Sequence, residues 1–230
     1  MRRLIRHTKV SDAAAKSSSV RRTRRQGWLR NRRALATAGV RAQLVFRAFQ
    51  LQPGLPAEGV PARSFFERKF GGEERARAVF ERVTEIGREE GIAFDFSRQP
   101  RAPNTELCHR VIQIASREQR GDAAVEALFR GYFEQGVNLS EVAEVIRLLE
   151  REGVGLRSVE LAARLAAGEG KAEVARDLRK ASEYGVGGVP LFIFGQRYAI
   201  EGVQPIERFQ RLIAKVRAEG GSRWRAASPP

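Results

Sequence analysis

The chain has 230 residues, 42% of them apolar, which is enough to bury a packed core and excludes a wholly disordered protein. One cysteine cannot form an internal disulfide, no run of about 18 apolar residues exists to span a bilayer, and two histidines with one cysteine make a poor zinc-binding set, so the expectation is a cytoplasmic protein without membrane or metal. The formal charge of +15 raises the question of nucleic acid, but Met1 to Ala42 hold eleven Arg and two Lys against Asp12 alone, so the excess is local and the rest is nearly balanced.

Residues 1–42 combine little apolar periodicity with dense arginine and read as a basic, irregular segment. As an arm it would bind phosphates or an acidic partner, and nucleic acid is expected only through it. Arginine, alanine and serine are also what a high-GC gene yields out of frame, and the chain carries 36 Arg against 6 Lys, so a reading-frame error over roughly residues 13–40 is the alternative to a genuine arm. From Leu44, LVFRAFQL has β-branched and aromatic residues in partial alternation before the turn-rich QPGLPAEGVP, which predicts a strand leaving a sheet through a loop.

Over residues 63–170 apolar positions recur three or four apart, as in Val79, Val83 and Ile86, or Leu128, Phe129 and Phe133, which predicts an all-helical insertion. Thr105, Asp122, Ser140 and Ser158 mark helix starts, and Gly91, Gly121, Gly136, Gly153 and Gly168 mark ends. The apolar run VPLFIFG with RYAIEG predicts a buried hairpin, and Pro205 to Val216 places Ile206, Phe209, Leu212, Ile213 and Val216 on one face of a covering helix. Residues 218–230 have the composition of a disordered tail. The fold class is therefore α/β, a sheet domain from residues 43–62 and 171–217 interrupted by helices.

Four segments carry a resemblance. They are FRAFQLQPGLPAEGVP, FDFSRQPRAPNTELCHRVIQIA, LFRGYFEQGVNLSEVAEVIRLLEREGV and, above all, ASEYGVGGVPLFIFGQRYAIEGVQP, with Gly185, Val186, Gly188, Val189 and Pro190 in a GVxGVP turn. In this order they resemble the DsbA family of thioredoxin-like oxidoreductases, and within it the FrnE-like group. The resemblance implies a thioredoxin-like fold with a helical insertion, thiol-disulfide oxidoreduction or isomerisation on protein or peptide thiol substrates, and no cofactor. It also implies a cis bond before Pro190, and a substrate strand docked by Val189 and Pro190. Asn104 and His109 match the group's NTxxAHRL segment. His109 reads either as a titratable group lining the substrate groove or as a helix histidine bonded to a neighbouring loop, and Asn104 as a contact or a cap. Cys108 lies among apolar helix neighbours and is expected to be a buried, inert thiol.

The family pattern breaks where it places CPWC after its first strand, at a helix N-terminus. Val10, Ser11 and Asp12 fit the end of that strand, but no cysteine follows, so no catalytic residue is assigned. Two further readings follow. One is a non-catalytic thioredoxin-fold binding protein with a basic arm. The other is a glutathione-dependent isomerase or transferase of the kappa type, with Ser17, Ser18 or Ser19 in place of the first cysteine.

Overall fold

The amphipathic middle of the chain folds as a stack of helices, each burying one stripe against its neighbours. The computed structural model describes residues 31, 33–40, 45–89, 91–202 and 204–219. Helix α1 covers residues 33–37. Strands β1 (Val60–Pro61) and β2 (Arg101–Ala102) pair antiparallel, with Val60 opposite Ala102. Helices α2 (Ala62–Phe70) and α3 (Glu73–Glu89) lie between them in sequence. Then come α4 (Glu106–Arg117), α5 (Gly121–Phe133), α6 (Val142–Arg151), α7 (Ser158–Ala166) and α8 (Lys171–Glu183). The antiparallel hairpin of β3 (Leu191–Phe194) and β4 (Tyr198–Glu201) follows, with Leu191 opposite Glu201, and α9 (Ile206–Glu219) closes the described chain. Among the described residues, no helix is long and apolar enough to cross a membrane.

The largest core is helical. Val111 and Ile114 of α4, Leu128 of α5, Val145 and Leu148 of α6, and Leu161 of α7 are buried together. Helices α5 and α6 approach closely because residue 131 is glycine: a Cβ there would lie 2.3 Å from Leu148 Cδ2. A second core holds the hairpin, where Phe209 and Ile213 of α9 bury against Ile200, with Ala34 and Leu35 of α1. Phe192 and Phe194 set their rings 5.2 and 6.3 Å from that of Phe209, and full burial of such a ring contributes about 1.5–3 kcal/mol. A third core, around Phe66 and Ala102, joins the first through aromatic contacts: Phe66 to Phe80 at 5.2 Å, Phe80 stacked on Phe96 at 4.6 Å, and Phe94 against Phe133 at 5.5 Å.

Helices α4, α7 and α8 are clamped by charge. The buried Arg110 donates from Nε to Glu169 O and from Nη2 to Leu165 O, taking up carbonyls at the end of α7. Gly170, at φ 83°, caps α8 where a Cβ would sit 3.1 Å from Arg110 Cα. Arg164 and Arg117 both bind Glu169, and the hydrogen bond from Arg164 leads in holding the Glu169 carboxyl below its ordinary range.

Several expectations are corrected. LVFRAFQL was expected as a strand, but residues 45–50 join no ladder among the described residues. Side chains take the place of a strand partner. Asp177, only 4% exposed, accepts from Ala48 N–H at 3.0 Å and from Arg47 Nη1 at 3.2 Å. Gln113 Nε2 bridges Phe46 O at 3.3 Å and Asp177 Oδ2 at 3.2 Å. The irregular reading of residues 1–42 fails at its described end, because Ala34 and Leu35 have an apolar partner in α9 that the surrounding arginines conceal. Gly121 opens α5 instead of ending α4, since Gln119 at φ 59° already makes the turn. Helix α6 starts at Val142, after Ser140 N–H has been taken by Asn138 Oδ1, and α9 runs on to Glu219. Residues 1–30 of the arm, with His7, Val10 to Asp12 and Ser17 to Ser19, and the tail from residue 220 lie outside the described residues.

Replacing the Asp177 carboxylate strands the Ala48 N–H in the interior. Asp177→Ala is expected to lower stability by about 1–3 kcal/mol, and Asp177→Asn by less, because an amide oxygen still accepts. Urea midpoints of the two variants check this, and equal midpoints for Asp177→Ala and wild type would refute the role given to Asp177.

Candidate functional site

The residues singled out by the sequence fall in two places. The first is the start of β3. After α8, Val186 N–H donates to Ala181 O at 2.9 Å, and the chain turns through Gly185 at φ 64° into the glycine-rich stretch before Pro190. The Val189–Pro190 peptide bond is cis, Pro190 is buried and Val189 is half-buried. Proline has no N–H to offer a ladder, but its carbonyl accepts from Gly202 N–H at 2.8 Å, so the hairpin bonding continues back to Pro190. Strand alternation then sends Phe192 and Phe194 toward α9 and leaves Ile193 64% exposed on the other face. Among the described residues β3 pairs along one edge, with β4.

The second place is the start of α4. Thr105 is the N-cap, yet its hydroxyl makes no capping bond. Asn104 does that work: its Oδ1 accepts from Glu106 N–H at 3.0 Å and from Gln50 Nε2 at 2.6 Å, while Nδ2 donates to Leu55 O at 2.6 Å. One turn on, His109 Nε2 meets Phe49 O at 3.1 Å, and since a carbonyl only accepts, the ring proton sits on Nε2. Both residues therefore fasten the 49–55 loop onto α4.

Beneath this loop, between α4 and α5, lies a cavity of about 150 Å³ with His109 and Cys108 in its wall. His109 thus both holds the loop and lines a hollow. Val189 and Pro190 do not line it, so the structure gathers Asn104 and His109 at one place and leaves the β3 start as another. Sequence reasoning missed Asp177 and Gln113. The available signal was an acidic residue one turn after Val174, on the buried face of α8.

Cys108 is 7% exposed within α4, and it is the only cysteine of the chain. Thiol-disulfide exchange passes through a mixed disulfide that a second thiol must resolve, and this chain has no second thiol.

A sequence model described as DSBA-like thioredoxin domain matches residues 25–214. Among solved structures, the chain is similar to a "probable DsbA oxidoreductase" from Streptomyces coelicolor, with 27% identity and a TM-score of 0.75 over 91% of this chain and 88% of that one. It is also similar to a candidate protein disulfide isomerase from Nitrosomonas europaea, with 17% identity and a TM-score of 0.53 over 64% of this chain and 75% of that one, a likeness of fold alone. No curated protein matches the chain.

Loss of the Asn104 amide removes the cap of α4 and a tie to Leu55 together. Asn104→Ala is expected to destabilise by about 1–2 kcal/mol and to speed amide exchange at the first turn of α4. Unchanged exchange at Glu106 would contradict the capping role.

Proposed function

The chain belongs to the DSBA-like thioredoxin domain family, and we propose on that basis that it binds thiol-bearing polypeptides in extended form along the start of β3 without completing disulfide turnover itself. Cys108 carries the second half of this reading. The family's chemistry begins when an exposed thiolate attacks a disulfide, and ends when a neighbouring thiol attacks the resulting mixed disulfide and releases the reduced product. A single thiol buried in α4 supplies neither the exposed attacker nor the resolving partner.

The first half rests on what surrounds Pro190. A strand end with β4 on one edge, a glycine-rich approach and an exposed Ile193 suit the addition of an extended chain, where backbone hydrogen bonds supply affinity and alternate side chains supply selectivity. Val189 and Pro190 are the docking residues in this reading, with Asn104 and His109 acting through the loop they hold. It calls for no cofactor. In this reading the motifs FRAFQLQP and NTELCHR support a place for the chain in the FrnE-like group.

Reduced α-lactalbumin, an unfolded polypeptide that carries free thiols, is the probe. Fluorescence anisotropy should show saturable binding, weakened at least about tenfold, or about 1.4 kcal/mol, by Ile193→Glu, an exposed position at which substitution leaves the fold intact. Absence of binding by wild type, or equal binding by the variant, would overturn the proposal.

A further inference from the structure

Between α4 and α5, under the 49–55 loop, lies a pocket of about 150 Å³ that opens to solvent over part of its boundary and is lined mostly by apolar side chains. We propose that this cavity is a second binding site, for a single-ring aromatic molecule with one polar substituent. It is separate from Val189 and Pro190 and does not depend on the polypeptide-binding reading.

Size, lining and access all bear on the assignment. A space of about 150 Å³ is enough to admit benzene, which sets the scale of the ligand at one ring. Apolar side chains dominate the wall: Leu51 and Leu55 from the loop, Ile112 from α4, and Val125, Phe129 and Phe133 from α5. The rings of Phe129 and Phe133 stand 6.0 Å apart and nearly parallel, so the α5 side offers aromatic surface to a flat guest.

Polar groups interrupt this lining. Gln52, Thr105, His109 and Tyr132 also belong to the wall, and the Thr105 hydroxyl is not used to cap α4, because Asn104 takes that position. A few polar groups in a mostly apolar pocket are what orient a ligand, here through one hydroxyl or carbonyl substituent. Access follows from the roof. One side of the pocket is covered by a loop, exposed at Pro53, Gly54 and Pro56, that is tied down by side chains of Asn104 and His109. Opening the loop breaks a few hydrogen bonds and leaves the helical core in place.

Phenol and benzene are the probes, titrated into the full chain by calorimetry and by amide spectra. Both should bind at one site with Kd of about 1 mM or tighter. The shifted amides should cluster at residues 105–112 and 125–133. Val125→Phe fills the hollow and should abolish both signals while the helical circular dichroism persists. Thr105→Val keeps the shape but removes the hydroxyl, so it should weaken phenol several-fold and leave benzene unchanged. Failure of the folded wild type to bind either probe would overturn the site, as would shifts elsewhere in the molecule. Should Val125→Phe fail to fold, the Thr105→Val comparison decides, and equal affinity of that variant and wild type for phenol would overturn the assignment of the polar substituent.

Discussion

A buried carboxylate holds the molecule's central seam. Asp177 on α8 reaches the backbone of residues 46–48, and Gln113 of α4 shares the same contact, so one side chain gathers two helices and an extended segment. Buried backbone groups must find partners, and a segment that joins no sheet among the described residues finds them here among side chains. The 45–50 stretch is held in this way at Phe46, Ala48 and Phe49, by Gln113, Asp177 and His109 in turn. Everything after it in the chain inherits that placement: Gln50 meets Asn104, Leu55 is pinned by the same amide, and the loop between them becomes the roof of the cavity.

This arrangement leaves two separate places in the fold. The hairpin at Pro190 is anchored by the α9 core, through Phe209 against Phe192 and Phe194, and owes little to the helical stack. The cavity belongs to the stack and to the loop fastened across it. Cys108 sits in the wall of the second and is 7% exposed there. Under the proposed function the chain offers the start of β3 to an extended polypeptide while holding no pair of sulfurs to act on it.

Much of this was legible in the sequence. The hairpin and α9 announced themselves because LFIF is bounded by Pro190 and Gly195, and because Phe209 and Ile213 repeat at helical spacing. The helical insertion was legible for the same reason, and the GVxGVP turn with its three companion segments pointed to the family that the comparison then showed. His109 was legible in its bland form, as a helix histidine bonded to a neighbouring loop. What escaped was everything set by long-range polar contact. Residues 45–50 alternate like a strand, but whether they pair depends on neighbours far along the chain. Asp177 sits in RDLRK, where an acid between basic residues looks solvated. Gly121 looked like a helix end because the left-handed turn had passed to Gln119, a residue that rarely takes it.

The central claim is that this DsbA-like fold binds and does not turn over. Catalysis of insulin reduction by dithiothreitol, followed by turbidity, tests it most directly. The account predicts a precipitation rate equal to that of dithiothreitol alone at any concentration of the protein. A rate that rises in proportion to added protein, and that persists after Cys108→Ala, would contradict it.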